Sequence, residues 1–488
     1  MAAEPMNRET LAQPASDLRS TIPDAGFIRI VMISSFKEGF GGGPGKYVYE
    51  LARRLATRCE VLMLRPGETT GFVDEERSTG SAPELKSPGG VGSGRDAGTR
   101  EPSSPRHLLR HFTIASAGKD DVRYPLLTRA TVSRLFAALD QFHPDVMHAQ
   151  EPTPISRIAQ HWACLRRVPF VITFHVLPGR ELDFGAADRV MLMSFPILRQ
   201  SILGFIRRFH HRCAAGIMMH EEICRRLGPD SRPARLFILP SVLDLKRFRR
   251  CRAAPSVGTW NLSYVGFLSD RKNQLYLLEV MRYLPVNFRL RLIGRALTPG
   301  YEQKLRKYAS AHGLNNVEFL GQVSNDELLD RLEQTHVFVS ASRLEVQAAV
   351  INEALASGTP VVGLDNETLD LVDDRVGRRL PAGTPAVEFA RRVRQICELP
   401  RHEYEEMCRQ ARARVRGMDW SATVDGTIAA YESLLPGQLK HEIGDDALVP
   451  RDPAPESRLS LAMMMISSLL YALNRRASRG INADECKA

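Results

Sequence analysis

The chain has 488 residues, too many for one hydrophobic core and suited to two domains or three. Its net charge of +10 favours an anionic partner, whether a nucleotide, a membrane surface or nucleic acid, and no recognisable nucleic-acid-binding motif accompanies that charge. The eight cysteines form no C-x-x-C pair, which argues against a disulfide framework or a zinc site and for reduced thiols in a cytoplasmic protein.

Residues 1–26 have no apolar signal-peptide region and are expected to be disordered. "FIRIVMISSF" (27–36) is apolar and β-branched without helical period, the pattern of a buried parallel strand. The glycine-rich "GFGGGPGK" (39–46) follows. In "KYVYELARRLATR" (46–58), Val48, Leu51, Ala52 and Leu55 recur at helical spacing. "EVLML" (60–64) is the next strand, so the chain opens as strand–helix–strand. From Pro66 to Arg106 the composition turns to Gly, Ser, Pro and charge, as expected of a flexible insertion. The pattern resumes with a helix in "VSRLFAALDQF" and strands at "DVMHAQ" (145–150), "PFVITFH" (169–175), "AAGIMMH" (214–220) and "RLFILP" (235–240).

An arginine-rich, aperiodic linker occupies 246–260. A second series begins with "NLSYVG" (261–266), "RLRLIG" (289–294), "VEFLG" (317–321), "HVFVSAS" (336–342) and "TPVVGLD" (359–365). The expected fold is α/β, with two tandem Rossmann-like, doubly wound domains at 27–245 and 261–418. Ligands of such sheets sit outside the carboxyl ends of the strands, which places the site in the cleft between the domains.

The glycine loop fails as a P-loop, because Phe40 stands where the first Gly is required and Tyr47 follows Lys46. It is either a permissive turn or a loop whose amides at Gly41, Gly42 and Gly43 meet a ligand phosphate near a helix N-terminus. "ILRQSILGFIRRF" (197–209) is amphipathic, and it either rests on an anionic membrane surface or packs on its own domain. The tail at 437–488 holds a linker and "LSLAMMMISSLLYAL" (459–473), short for a span and suited to an interfacial anchor or a docking helix.

"VGFLSDRKNQLYLLEVM" (265–281), "LRLIG", "VEFLGQVSNDEL" and Glu345-x7-Glu353 ending in "ALASGTPVV" together resemble the retaining glycosyltransferases of family 4, which have the GT-B fold. "MDWSATVDGTIAAYESLL" (418–435) looks like that family's closing helix, which returns to the first domain and is placed at 419–436. The resemblance covers roughly residues 27–436. It implies transfer of a sugar from a nucleotide-sugar co-substrate to a saccharide or lipid-linked acceptor; the expected location is the cytoplasm, at the inner face of a membrane if 197–209 or the tail is an anchor. It further implies that Glu353 binds ribose hydroxyls, that Glu345 orients the donor sugar, and that Lys272 clamps the diphosphate. His175 would face the transferred sugar. Gly266, Arg271 and the amides of Val346, Gln347 and Ala348 would complete the donor site. The chain departs from the family where Phe267 replaces an Arg and where Val346-Gln347-Ala348 replaces Gly-Phe-Gly. Arg271 or Arg295 would then supply the missing positive charge. A non-catalytic relative of the same fold is the alternative these departures suggest. No Asp-x-Asp stands at a strand end, so no metal or other cofactor is expected.

Overall fold

Ile30, Val31, Met32 and Ile33 are fully buried, as a strand covered by helices on both faces requires. They belong to β1 (Arg29–Ile33) of a computed structural model that describes residues 27–36, 42–73, 109–117, 124–176, 178, 196–239, 242–248, 258–297, 299–345, 349–366 and 369–435. The first sheet continues with β2 (Glu60–Gly67), β3 (Gly71–Val73), β4 (Leu109–Ala117), β5 (Tyr124–Pro125), β6 (Val146–Ala149), β7 (Phe170–Phe174), β8 (Ala215–Met218) and β9 (Arg235–Ile238). Their order is β3-β4-β2-β1-β6-β7-β8-β9, and only β3 and β5 run antiparallel to their neighbour β4. Because β1 lies between β2 and β6, the topological switch point falls at the carboxyl ends of β1 and β6.

The expected insertion at 66–106 begins too early. β2 continues through Pro66 and Gly67, and β3 pairs with β4. Pairing with β1 ends at Leu64, so the missing N–H of Pro66 interrupts no bond to that strand. Residues 74–106 lie outside the described residues. The helix α1 spans Gly42–Leu55, so Gly42, Gly43 and Pro44 form its first turn rather than a separate loop. The first turn needs no N–H partners, so Pro44 is tolerated there. Gly41 lies outside the described residues.

Helices α2 (Arg129–Phe142), α3 (Pro154–Arg166), α4 (Pro196–His211) and α5 (Glu221–Arg226) complete the first half. The segment at 197–209, weighed as a membrane-resting helix, lies within α4. Its Ile202, Phe205, Ile206 and Phe209 are buried in the domain's own core, with Phe205 and Phe209 fully enclosed. Its apolar side is therefore used inside the protein.

The second sheet comprises β10 (Trp260–Val265), β11 (Phe288–Ile293), β12 (Val317–Gly321), β13 (Val337–Ser340), β14 (Val361–Leu364) and β15 (Gly377–Leu380), all parallel, in the order β12-β11-β10-β13-β14-β15. Its switch point lies between β10 and β13. Helices α6 (Gln274–Met281), α7 (Pro299–Ala311), α8 (Asn325–Glu333), α9 (Ala349–Ala356), α10 (Ala386–Cys397) and α11 (Arg401–Arg414) belong to this half. The two sheets with their helices form a two-domain, Rossmann-like GT-B fold.

The last described helix, α12 (Trp420–Glu432), packs away from its chain neighbours. Val424, Ile428 and Tyr431 join one buried cluster with Ile30, Val48, Leu51 and Val171 of the first domain. Arg58 pairs with Asp425, and Arg235 donates to the Ser433 carbonyl at 2.8 Å. The outgoing and returning strands of chain meet where Leu243 N donates to Met418 O at 2.8 Å. The domains also touch directly. Leu344 of the second half is buried in the core of the first, and His220 meets Asp370 at 2.7 Å.

The strand ends that face this cleft are closely apposed. Gly266 and Gly294 end β10 and β11 with φ of +143° and +135°, and a Cβ on Gly294 would lie 2.2 Å from the Gly266 carbonyl oxygen. Only glycine fits both the conformation and the space. Gly294→Ala is expected to destabilise the protein by roughly 2–4 kcal/mol, from backbone strain and overpacking together. Urea unfolding of the two proteins measures this directly, and an unchanged midpoint would mean that the strand ends can separate.

Candidate active site

Three charged residues, Lys272, Glu345 and Arg271, cluster at the second switch point, with Phe267 and Arg295 beside them. Lys272 lies in the loop after β10, and Glu345 lies in the loop after β13. The Lys272 ammonium contacts Glu345 Oε1, and both side chains are nearly enclosed. Arg271 Nη1 donates to the Leu344 carbonyl at 2.9 Å and lies 4.0 Å from Glu345 Oε2. Burial pushes the Lys272 ammonium below its ordinary pKa, and Glu345 opposes that shift. Beside them, Phe267 carries the guanidinium of Arg295 over its ring at 4.9 Å from the centroid. Gln274 fixes the loop by donating to the Phe267 carbonyl at 2.9 Å and accepting from Ser269 N at 3.2 Å.

Glu353 sits on α9, whose Ile351, Ala354 and Leu355 are buried, while Glu353 is half-buried. Burial raises its carboxyl pKa, and Lys46 of α1 and Arg247 of the connector oppose the rise. These charges belong to other parts of the chain, so the field at Glu353 includes that of the first domain. Val346, Gln347 and Ala348 lie outside the described residues.

Across the cleft, His175 follows β7. Its Nε2 lies 2.9 Å from Gln150 Oε1, and its ring meets Tyr47 edge-on at 5.5 Å. Burial lowers its pKa to about 4, so the ring is neutral at physiological pH. Glu151 follows β6 at the first switch point. It accepts from Ser34 Oγ at 3.0 Å and from Ser35 N and Oγ at 3.0 and 3.3 Å. Burial pushes its carboxyl up to about 7 despite these bonds.

The structure thus brings Lys272, Arg271, Glu345, Gly266 and Arg295 together at one sheet edge. It places Glu353 within the field of Lys46 and sets His175 on the opposite domain. Lys46, Gln150 and Glu151 were not singled out from sequence. The signal for the last two was available, since "HAQEP" stands at the carboxyl end of a strand beside the switch point. Among the described residues no group of three or more His, Cys, Asp or Glu side chains is arranged to hold a metal ion, and six cysteines are free thiols. No described helix is long and apolar enough to cross a membrane.

Two facing Rossmann-like sheets with a cationic cluster and carboxylates at their carboxyl edges define a GT-B glycosyltransferase, and comparison with known proteins agrees. Residues 41–247 match the family described as Glycosyltransferase Family 4, and residues 254–414 match that described as Glycosyl transferases group 1. The chain belongs to the family 4 glycosyltransferases. It is 25% identical over 329 residues to a GDP-mannose-dependent alpha-mannosyltransferase of Mycobacterium tuberculosis, a match covering 62% of this chain and 76% of that protein. It is 25% identical over 359 residues to a phosphatidyl-myo-inositol mannosyltransferase of Mycobacterium leprae, covering 68% and 87%. Among solved structures, sucrose-phosphate synthase from Thermosynechococcus elongatus superposes with a TM-score of 0.59 at 17% identity, over 83% of this chain and 99% of that one. Anabaena HepE in complex with UDP gives the same score and identity over 84% and 100%.

The folded protein binds a proton at Glu151 more tightly than the unfolded chain does, so this residue's stabilising contribution is present below about pH 4.5 and is lost as pH rises toward 7. Glu151→Gln, which mimics the protonated form, is therefore expected to match wild type at pH 4.5 and to be more stable at pH 8. The difference should be about 1–3 kcal/mol, less than the full shift implies because the residue is only half-buried. Denaturant titrations of both proteins at the two pH values give the comparison. A mutant that is less stable at pH 8 would show that the serine hydrogen bonds outweigh the cost of burial.

Proposed function

We propose that the protein is a retaining glycosyltransferase that moves a sugar from a nucleoside diphosphate donor to a saccharide or lipid-linked acceptor. The donor would occupy the second domain (261–418) and the acceptor the first (27–245). The observation that carries this reading is the Lys272–Glu345 pair beside Arg271, at a switch point that faces Glu353 and α1. The names of similar proteins support it: one is a GDP-mannose-dependent mannosyltransferase, and the HepE structures hold UDP and UDP-glucose. The relatives are named as enzymes, which does not favour a non-catalytic binding subunit.

In the reaction the bond between the sugar's anomeric carbon and the diphosphate oxygen breaks, the acceptor oxygen bonds to that carbon, and the acceptor's hydroxyl proton passes to the departing diphosphate. Negative charge grows on the leaving phosphate and positive charge on the sugar. Lys272 and Arg271 stabilise the first from fixed positions, so no reorganisation is required during bond breaking. Glu345 holds the ammonium in place until the diphosphate shares it. Arg295, stacked on Phe267, adds a second positive charge at the same edge. Glu353 accepts hydrogen bonds from the ribose hydroxyls, and Lys46 and Arg247 oppose the rise in its pKa that burial causes. The backbone amides of Gly41, Gly42, Gly43, Val346, Gln347 and Ala348 are the remaining donors of this proposal. His175 faces the sugar as a neutral ring and adds no repulsive charge to it. With these cations present the reaction needs no metal, and turnover is expected to survive EDTA. Loss of activity in EDTA with recovery on adding a divalent ion would overturn that part.

A thermal-shift panel of nucleotide sugars identifies the donor. With that donor, Glu353→Ala should weaken nucleotide binding by roughly 1–3 kcal/mol in calorimetry. Lys272→Ala should lower kcat/KM by roughly 10²–10³, the scale of one lost transition-state donor. Phe267→Arg should leave activity equal or better. A wild type inert toward every donor, with turnover gained in Phe267→Arg combined with Val346→Gly, would replace this reading by the non-catalytic one.

A further inference from the structure

Two residues of α12 reach His175 by separate routes. Trp420 stacks on Tyr47 with ring centroids 5.7 Å apart, and Tyr47 in turn meets His175 edge-on. Tyr431 reaches it through hydrogen bonds. Its Oη lies 2.6 Å from His148 Nδ1. His148 Nε2 lies 2.7 Å from Thr173 Oγ1 and 3.2 Å from Gln150 Nε2, and Gln150 Oε1 lies 2.9 Å from His175 Nε2. Tyr431, His148, Gln150 and Thr173 are all fully or almost fully buried, so water does not compete for these bonds.

A primary amide donates at one end and accepts at the other. With the Gln150 nitrogen toward His148 and its oxygen toward His175, His148 Nε2 must accept and His175 Nε2 must donate. His148 then carries its proton on Nδ1 and donates it to Tyr431 Oη. Burial keeps both imidazoles neutral, so each ring has one proton whose place the chain of bonds decides.

We propose that Tyr431, His148 and Gln150 are positioning residues through which the closing helix holds His175 as its Nε2–H tautomer. Gln150 couples the two rings in opposite senses. If His148 moves its proton to Nε2, the amide turns over and His175 must move its proton to Nδ1. The seating of α12 on the first domain is thereby felt at the ring that faces the cleft. The catalytic consequence rests on the reading of His175 as the residue facing the transferred sugar, whereas the tautomer coupling does not.

The test uses the full-length protein labelled with ¹⁵N-histidine, with the His175 signals assigned by their loss in His175→Gln. Wild type should show His175 as the Nε2–H tautomer. Tyr431→Phe removes the acceptor of the His148 Nδ1 proton without changing shape, and should move His175 toward Nδ1–H. Gln150→Leu should leave His175 with mixed tautomers, and adding Tyr431→Phe to it should change the His175 signals no further. Hydrolysis of GDP-mannose or UDP-glucose should fall roughly tenfold or more in kcat in both single variants, with donor KM within about twofold. An Nδ1–H wild type, or His175 signals unmoved by both single substitutions, would overturn the relay. Normal turnover in His175→Ala would instead overturn the role of His175 in the proposed reaction, and the tautomer shifts would still decide the relay.

Discussion

A buried ammonium needs a buried anion, and the pairing of Lys272 with Glu345 meets that need across two loops 73 residues apart in sequence. Lys272 follows the first strand of its sheet, and Glu345 follows the strand that lies on its other side. Their contact therefore closes the switch point itself. Removing either partner would strand a charge in a low-dielectric site, which costs far more than the intact pair contributes. The ends of β10 and β11 and the approach to α9 are arranged around this constraint. So is Leu344, one residue before Glu345, which anchors the same loop in the core of the opposite domain.

The cluster also contains an uncharged member. Phe267 brings no charge to the edge of β10, yet its ring offers a flat, electron-rich face. Arg295 from the neighbouring strand end lies over that face. The guanidinium is thus held beside the end of β10. The backbone that carries Arg295 is itself closely packed, since only glycine fits at 294 beside Gly266.

The strands were legible because buried parallel strands are unbroken apolar runs, as in Ile30–Ile33 and Val337–Val339, and few other elements look like that. Glu345, Glu353 and Lys272 stood out because they belong to an ordered series of motifs, and the meeting of Lys272 with Glu345 follows from their places after adjacent strands. Helix α4 was ambiguous for a physical reason: an apolar stripe of Ile202, Phe205, Ile206 and Phe209 has the same periodicity whether it meets lipid or a protein core. The start of α1 was missed because glycine and proline disfavour helix interiors but are tolerated in the first turn. The hydrogen-bonded path to His175 was hidden altogether. Its members come from β6, β7 and α12, and Tyr431 lies 283 residues from His148. No local pattern encodes such a meeting.

The return of α12 to the first domain also bears on how the protein is born. Val424, Ile428 and Tyr431 cover an apolar surface of the first domain to which Ile30 of β1 and Val48 and Leu51 of α1 contribute. During synthesis that surface stays bare after β9 has emerged, until α12 leaves the ribosome. At the usual rate of roughly 5–20 residues per second, this interval is about 10–40 s. The amino-terminal domain is therefore finished last. A nascent chain stalled anywhere in the second domain presents an unsealed apolar surface, a target for chaperones and a starting point for aggregation.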